Sequence, residues 1–338
     1  MTTTPAMSRN LRVSFIVPVR NDAARLRVCL RSILRNPQSA QQVEIIVVDN
    51  GSTDDSAAVA ERLGAEVLTI DSGRVAELRN RGAQHATGDV LAFVDADNEI
   101  AGGWLYAALE CLRMPSVGAV GAMYQPPPDG TWVQRTYGHL RGGPRDHDDA
   151  DWVGSGNLAV SRTAFEAVGG FDTTLDTCED VDLCHRLRAK GLRIVSDSRL
   201  KSVHHGDPRT LWEVLTSERW RGRDNLRVTF RKPVTWASVP SAVVPVFHAM
   251  FMALAVVGVG LLGANTRIGV ALLGTAIIAF AAGTAIRVVR AAVRETAGRT
   301  SLVASFVVAS FLDAGRALAL VSPAPHRGGQ SRQTVAAS

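Results

Sequence analysis

Two carboxylates separated by a single residue follow an apolar stretch in the first third of the chain. Asp95 and Asp97 come directly after the run VLAFV, which is typical of a buried strand. Mg²⁺ and Mn²⁺ prefer oxygen ligands and commonly bridge one or two carboxylates to phosphate oxygens. The pair therefore predicts a divalent metal site for a phosphate-bearing ligand, although such triplets also occur in ordinary turns.

A second acidic cluster, at Glu179 and Asp180, opens a predicted helix. Carboxylates at a helix N-terminus interact favourably with its macrodipole, by about 0.3–1 kcal/mol for an exposed group. A carboxylate beside other carboxylates also has its pKa raised, towards the range that a general base needs. The cluster is thus a candidate for removing a proton from a hydroxyl group.

A third group of polar residues follows the apolar run VEIIVV. Asp49 ends this predicted strand, Asn50 and Gly51 suit a tight turn, and Ser52 or Asp54 can cap the next helix. At a strand end, Asp49 can also accept hydrogen bonds from a base or a ribose. Neither GxGxxG nor GxxxxGK[ST] occurs in the α/β part of the chain, which argues against dinucleotide and P-loop enzymes. A diphosphate would then need a metal ion for neutralisation.

Short apolar runs alternate with amphipathic stretches from residue 13 to 94. This rhythm predicts an α/β fold with a parallel sheet and helical crossovers. Ligands of such sheets lie at the carboxyl ends of the strands, where the residues above are found. Residues 124–152 contain Pro126, Pro127 and Pro128 and an acidic run, and they are predicted to form a long irregular loop.

The segments VSFIVPVRND, IIVVDNGSTD, ELRNRGAQHATGDVLAFVDAD, GSGNLAVSR, GGFD and CEDVDLCHRLRAKG, in this order and spacing, resemble the family-2 inverting glycosyltransferases. The resemblance covers about residues 12–205. It implies a GT-A fold, which is a Rossmann-like nucleotide-diphospho-sugar transferase domain, and single displacement with inversion at the sugar.

The resemblance also implies roles for individual residues. Asp97 would be the direct metal ligand beside Asp95, and Asp180 would be the general base with Glu179 as its neighbour. His205 or His204 matches a position where some relatives place a further metal or phosphate contact, although a structural histidine is equally compatible. The residues that would lie around the donor are Pro18, Arg20, Asp49, Ser52, Arg79, Asn80 and Asp95.

One departure from the family concerns processivity. Polymer-making relatives carry QxxRW before their membrane helices, whereas this chain has Thr216-Ser217-Glu218-Arg219-Trp220, which lacks the glutamine. The difference favours the addition of one sugar over processive synthesis. Trp220 could stack on an acceptor sugar or anchor the chain at a membrane interface.

Long uncharged runs dominate the chain after residue 232. They predict membrane helices at about 236–263 and 268–286. A third apolar run at about 301–322 is either a spanning helix, with an ion pair between Asp313 and Arg316, or an interfacial helix. Residues 207–232 are predicted to form an amphipathic helix, either in the headgroup region or packed on the catalytic domain. The transferase domain is assigned to 12–206, and 1–11 and 323–338 are predicted to be disordered.

Charge and cysteine content locate the catalytic part. Arginines cluster on both sides of the predicted membrane hairpin, so the positive-inside rule places the catalytic domain in the cytoplasm of a multi-pass cell-membrane protein. The N-terminus lacks the apolar region of a signal peptide, and the four cysteines form no CxxC pair. The net charge of +5 comes without a basic, aromatic-lined stripe, which excludes a nucleic-acid partner.

These observations predict a membrane-bound, Mg²⁺- or Mn²⁺-dependent glycosyltransferase that acts on a nucleotide-sugar donor. The acceptor is expected to be a lipid-linked or other glycan in cell-surface polysaccharide synthesis. The alternatives are a degenerate nucleotide-sugar-binding scaffold and a polysaccharide synthase. A sugar nucleotidyltransferase would need a glycine-rich loop after the first strand, and VPVRNDAARL offers none.

Overall fold

The computed structural model describes residues 11–36, 43–142, 148–231, 239–294 and 301–322. The predictions for the first ten residues and for 323–338 lie outside the described residues. The strands are β1 Val13–Val19, β2 Val43–Asp49, β3 Glu66–Thr69, β4 Val90–Val94, β5 Asn98–Ile100, β6 Val117–Gly121, β7 Asp148–Asp149, β8 Asn157–Ser161, β9 Arg193–Ser196 and β10 Ser202–His204. The helices of the first two hundred residues are α1 Ala23–Leu34, α2 Ser56–Arg62, α3 Val75–His85, α4 Trp104–Leu112, α5 Trp132–Arg141, α6 Arg162–Ala167 and α7 Glu179–Ala189. They are followed by α8 Leu211–Arg221, α9 Asn225–Thr229, α10 Val239–Leu261, α11 Thr266–Arg294 and α12 Leu302–Ala319.

Eight strands form one mixed sheet in the order β3-β2-β1-β4-β8-β6-β9-β7. The first four are parallel to one another, and β8 runs antiparallel to both β4 and β6. Strands β1 and β4 are buried along their whole length because helices cover both faces of the sheet, which explains their uninterrupted apolar sequences. This architecture confirms the predicted α/β fold.

The register brings the ends of the central strands together. Val19 at the end of β1 lies opposite Asp49 at the end of β2, and β4 flanks β1 on its other side. The polar residues that follow these strands therefore share one edge of the sheet, as the sequence predicts.

The prediction of an irregular loop over 124–152 is wrong. Helix α5 occupies the middle of this segment and begins with a capping box, in which Thr131 Oγ1 accepts from the Gln134 backbone N–H and the Gln134 side chain accepts from the Thr131 N–H. This threonine–glutamine spacing is a helix-start signal, which the nearby prolines and glycines obscured. Strand β6, and the antiparallel pair of β5 with β10, also lie outside the sequence prediction.

Three C-terminal helices, α10, α11 and α12, are long and apolar enough to cross a membrane. Helix α12 also packs against α8 and α5. The expected ion pair within α12 is wrong: Asp313 lies 2.6 Å from Arg287 of α11, and Arg316 lies 2.7 Å from Glu218 of α8. Side chains three residues apart on a helix can pair, but each of these two binds an opposite charge on a neighbouring helix.

Candidate active site

Asp49 is buried at the end of β2 and is held by the turn that follows it. The Ser52 backbone N–H donates to both Asp49 carboxylate oxygens at 3.3 Å, and the Ser52 hydroxyl donates to Oδ1. Ser52 Oγ in turn accepts from the Asn21 N–H at 2.9 Å, which ties this turn to the end of β1. Ser52 is thus a support for Asp49 whether or not it also contacts a ligand.

Pro18 and Arg20 differ in their exposure at the end of β1. Pro18 is buried within the strand, opposite Val48, whereas Arg20 follows the strand and is exposed to solvent. Arg20 can therefore reach a ligand at this edge of the sheet. Pro18 can contribute only to the wall behind such a ligand.

Arg79 joins the two acidic motifs. Its guanidinium donates through Nη2 to Asp95 Oδ1 at 2.6 Å and through Nη1 to Glu179 Oε1 at 2.7 Å. The Arg79 side chain is only 3% exposed, and the Phe171 ring lies 5.7 Å from its guanidinium carbon. Two carboxylates far apart in sequence are therefore held around one buried cation, which stabilises all three charged groups.

Asn80, next in the chain, binds the backbone of the Gly-Gly-Phe-Asp segment. Its amide donates to the Phe171 carbonyl at 2.8 Å and accepts from the Phe171 N–H at 2.9 Å. Both ends of the side-chain amide are used in this way. Asn80 thus fixes Phe171 beneath Arg79, and the predicted donor-binding pair Arg79-Asn80 organises the motifs around the cleft.

Asp180 lies at the start of α7, next to Glu179. Cys178, which precedes the pair, adopts a left-handed conformation with φ of 62°, uncommon for a residue with a side chain. The N–H of Val181 donates to Asp180 Oδ1 at 2.8 Å, while Ser155 donates its N–H to Asp180 at 3.4 Å and its hydroxyl to Glu179 at 3.2 Å. Burial and the negative charge of Glu179 raise the pKa of Asp180 to about 7, which suits a general base near neutral pH.

Asp97 faces His204. His204 Nε2 lies 3.6 Å from Asp97 Oδ2, and His204 Nδ1 lies 3.1 Å from the buried carboxylate of Asp207. Burial alone would lower the pKa of His204, but the charges of Asp97 and Asp207 outweigh it and raise this pKa. The neighbouring His205 points elsewhere, with Nε2 3.1 Å from Glu99 Oε2. Of the two histidines considered from the sequence, His204 is the one beside the acidic motif.

The acidic motif fits a divalent cation that completes its coordination with ligand oxygens. Glycines leave room for both carboxylates: a Cβ on Gly156 would lie 2.2 Å from Asp95 Oδ2, and one on Gly206 would lie 1.9 Å from Asp97 Oδ2. In the described part of the chain, no three His, Cys, Asp or Glu side chains form a ready-made metal cage. Mg²⁺ is usually bound by one or two protein carboxylates together with phosphate oxygens of the substrate.

Tyr124 is a site residue that the sequence analysis missed. Its hydroxyl accepts from the Gly156 N–H at 3.1 Å, and its ring lies 5.1 Å from that of His204. Burial and the charges of Asp95 and Asp180 raise its pKa, so the hydroxyl stays protonated. Arg141 of α5 stacks 5.3 Å from the Tyr124 ring and pairs with Asp207 at 2.9 Å. Because Tyr124 comes soon after β6, assigning that strand would have placed it at a strand end.

The partial match to QxxRW does not point into this site. Arg219 and Trp220 are exposed on α8, with Trp220 46% exposed, whereas Glu218 is buried. Glu218 accepts a hydrogen bond from the Tyr137 hydroxyl. Burial would raise the pKa of Glu218, but the positive charges of Arg316 and Arg221 outweigh burial and lower this pKa to about 2. Of the three residues Glu218, Arg219 and Trp220, Glu218 is thus the one that contacts the interior of the catalytic domain, through Tyr137 of α5.

Residues 14–168 match the model described as "Glycosyl transferase family 2". The chain is 31% identical over 195 residues to the pre-mycofactocin glycosyltransferase of Mycobacterium tuberculosis, covering 54% of this chain and 40% of that relative. It is 25% identical over 267 residues to the succinoglycan biosynthesis protein ExoA of Rhizobium meliloti, covering 72% and 80%. The chain thus spans less than half of the first of these relatives.

Two solved structures share the fold. A mannosyltransferase from Pyrobaculum calidifontis, PcManGT, in complex with GDP-Man and Mn²⁺, has a TM-score of 0.59 at 20% identity, covering 91% of this chain and 86% of its own. GalNAc-T7 with UDP, GalNAc and Mn²⁺ has a TM-score of 0.50 at 17% identity, covering 65% and 48%. These likenesses establish the GT-A architecture of the α/β domain.

Proposed function

We propose, from the match of residues 14–168 to the family 2 glycosyltransferase model, that the protein is a membrane-bound, inverting glycosyltransferase. It transfers one sugar from a nucleotide-sugar donor to a hydroxyl or phosphate of a lipid-linked acceptor. The observation that carries the proposal is the buried Arg79, which holds Asp95 beside Glu179 and so places the donor-binding and proton-removing ends of the cleft together.

The proposed reaction is a single in-line displacement. Asp180 accepts the proton of the acceptor hydroxyl as the oxygen attacks the anomeric carbon, and the bond from that carbon to the diphosphate oxygen breaks. The configuration inverts because attack and departure occur on opposite faces of the sugar. The pKa of Asp180, about 7, makes it a base that is largely ionised above neutral pH and still basic enough to take the proton.

The donor would lie along the edge of the sheet. Asp49, at the end of β2, is placed to accept hydrogen bonds from the nucleoside, with Arg20 near the same edge and Pro18 behind it. Asp97, with Asp95 and His204 beside it, would hold a divalent cation, which when bound neutralises charge on the leaving diphosphate. Tyr124 remains a hydrogen-bonding hydroxyl between the metal and base ends of the cleft.

Membrane attachment and the acceptor belong to the same proposal. Helices α10 and α11 are long and apolar enough to cross a membrane, and Arg287, Arg290 and Arg294 lie at the C-terminal end of α11. The positive-inside rule then places the catalytic domain on the cytoplasmic side of the cell membrane. The similarity to a succinoglycan biosynthesis protein supports a cell-surface glycan as the product.

The test is nucleoside diphosphate release by detergent-solubilised protein with a panel of UDP-, GDP- and dTDP-sugars. Mg²⁺ or Mn²⁺ is supplied or removed with EDTA, and a lipid extract provides the acceptor. We expect metal-dependent release from one donor, reduced about 10²–10⁴-fold in Asp180→Asn and lost in Asp97→Ala. Equal turnover by Asp180→Asn would reject this base, and tight donor binding without turnover under any acceptor condition would favour a scaffold.

A further inference from the structure

Helix α12 differs from α10 and α11 in its surroundings. In an apolar stretch of 18 residues, 44% of the residues of α12 are buried, compared with 22% for α10 and 17% for α11. Its apolar residues Val308 and Leu312 join a cluster with Val133 and Tyr137 of α5 and Val214 of α8. A helix of spanning length is therefore covered by helices of the catalytic part of the chain.

The contact with α8 is close and runs along both helices in the same direction. A Cβ on Gly315 would lie 2.5 Å from the Leu215 carbonyl oxygen, and a Cβ on Gly222 would lie 2.8 Å from Ala319 Cβ. Between these two points, Arg316 donates to Glu218 at 2.7 Å. Small residues thus permit a near-parallel packing that an ion pair fixes in register.

Helix α8 itself cannot lie in hydrocarbon. Among its eleven residues are Glu213, Glu218, Arg219 and Arg221, and charged side chains are strongly disfavoured at the centre of a bilayer. The contact from residue 308 to 319 covers roughly 16 Å of α12 at 1.5 Å per residue. Only about 9 Å, from 302 to 308, remains, whereas the hydrocarbon layer is about 30 Å thick.

We propose that α12 does not cross the membrane but lies with α8 at the membrane surface, on the side of the catalytic domain. The lipid headgroup layer is then the partner of the α8–α12 pair, and exposed Trp212 and Trp220 of α8 suit that layer. The chain crosses the bilayer twice, through α10 and α11, and residue 322 remains on the catalytic side. The inference rests on the membrane placement proposed for α10 and α11 and on no assumption about activity.

The contacts of Asp313 agree with this arrangement. Asp313 accepts from Arg287 at 2.8 Å and from the Thr284 hydroxyl at 3.1 Å, and His248 Nε2 lies 3.6 Å away. Thr284 and Arg287 belong to the C-terminal half of α11, the end that carries three of its arginines. Helix α12 is thereby attached to the catalytic-side end of the hairpin and does not lie along its full length.

The experiment labels single cysteines with a membrane-impermeant maleimide in sealed vesicles of both orientations. Glu61→Cys, exposed on α2, marks the catalytic domain, Ala264→Cys marks the turn of the hairpin, and Ser322→Cys reports the end of α12. Native Cys178 is replaced by serine, and the remaining cysteines, Cys29, Cys111 and Cys184, are buried. The whole chain is used in each case.

We expect Ser322→Cys and Glu61→Cys to react from one side and Ala264→Cys from the other. Reaction of Ser322→Cys from the same side as Ala264→Cys would overturn the proposal and make α12 a third span. A protease-cleavable tag appended after residue 338 provides the same comparison without a substitution in α12. Cleavage only from the side of Ala264 would equally overturn it. Both readouts are independent of glycosyl transfer, so a failed activity assay does not affect them.

Discussion

Arg79 donates to Asp95 at 2.6 Å, inside the domain and almost without solvent contact. The same guanidinium binds Glu179 at 2.7 Å, so one cation balances a carboxylate from each end of the candidate active site. The Asp95 and Glu179 carboxylates would otherwise be left near each other with an uncompensated charge. Removal of the Arg79 guanidinium is therefore expected to destabilise the folded protein, in addition to disturbing the arrangement of the cleft.

Replacement of Arg79 by methionine is expected to destabilise the protein by about 3–5 kcal/mol, because it leaves two carboxylates without their buried partner. Sugar transfer should fall as well, since Asp95 and Glu179 lose their common anchor. Thermal unfolding of the solubilised protein measures the first effect and nucleoside diphosphate release measures the second. Arg79→Lys should be intermediate, because an ammonium keeps the charge but cannot present the two-pronged guanidinium.

Arg81, two positions along the same helix, provides the control. It is exposed to solvent, so Arg81→Met should change the unfolding midpoint little. If Arg79→Met is as stable as Arg81→Met, the bridge between the two motifs contributes nothing measurable, and its part in the proposed function must be abandoned.

The rate of transfer should depend on pH through Asp180. With a pKa of about 7, the ionised base is lost as the pH falls, and at pH 6 about a tenth of the plateau rate should remain. Glu179→Gln removes the negative charge that disfavours ionised Asp180. The acidic limb of the profile should therefore move to lower pH, while burial keeps the pKa of Asp180 above that of an exposed aspartate, about 3.9.

The measurement is kcat against pH for the wild type and for Glu179→Gln at saturating donor and metal. A matched variant on the same helix, Arg188→Gln, changes a charge that lies outside the cleft and should leave the midpoint unmoved. A Glu179→Gln profile that coincides with the wild type, or that moves to higher pH, would exclude Glu179 as a cause of the raised pKa of Asp180.

The sequence was sufficient for the parallel part of the sheet, β1 to β4, because its signal is local. Runs such as VSFIVPV and VLAFV are apolar throughout, and polar residues mark where each strand ends, so Asp49, Asp95 and Asp97 could be placed at one edge without coordinates. Residues whose partners are distant in the chain could not be placed this way. Nothing near Arg79 in sequence indicates Glu179, one hundred positions away.

The missed parts have separate physical reasons. Helix α5 was hidden because the prolines before it outweighed the capping box at Thr131 and Gln134. Tyr124 was missed along with β6, a strand rich in glycine and alanine that lacks the bulk of its neighbours. For Arg316, the sequence offered Asp313 as the nearest opposite charge, but helix packing gives it Glu218, which no local pattern reveals.

Substitution of the two histidines separates their proposed roles. His204 lies beside Asp97, whereas His205 pairs with Glu99. His204→Gln should therefore raise the Mn²⁺ concentration for half-maximal activity by about 10–100-fold, and His205→Gln should leave it nearly unchanged. Electron paramagnetic resonance of free Mn²⁺ gives the binding constant directly. A larger effect in His205→Gln would assign the metal position to His205, as the sequence resemblance permits.

The Glu218–Arg316 pair should govern how firmly α12 is attached to α8. Because the folded pKa of Glu218 is lowered to about 2, its stabilising contribution is present above the unfolded value of about 4.3 and is lost as the pH falls towards 2. Arg316→Met should cost about 1–3 kcal/mol, less than for a fully buried pair, because the Arg316 side chain is 38% exposed. The double variant Glu218→Gln/Arg316→Met should lose less stability than the sum of the losses in the two single variants.

Thermal unfolding at pH 7 provides the comparison, with exposed Arg219→Met as control. Additive losses would mean that the two side chains stabilise the protein independently, and α12 would then be held to α8 by apolar packing and by the close contacts of Gly315 and Gly222.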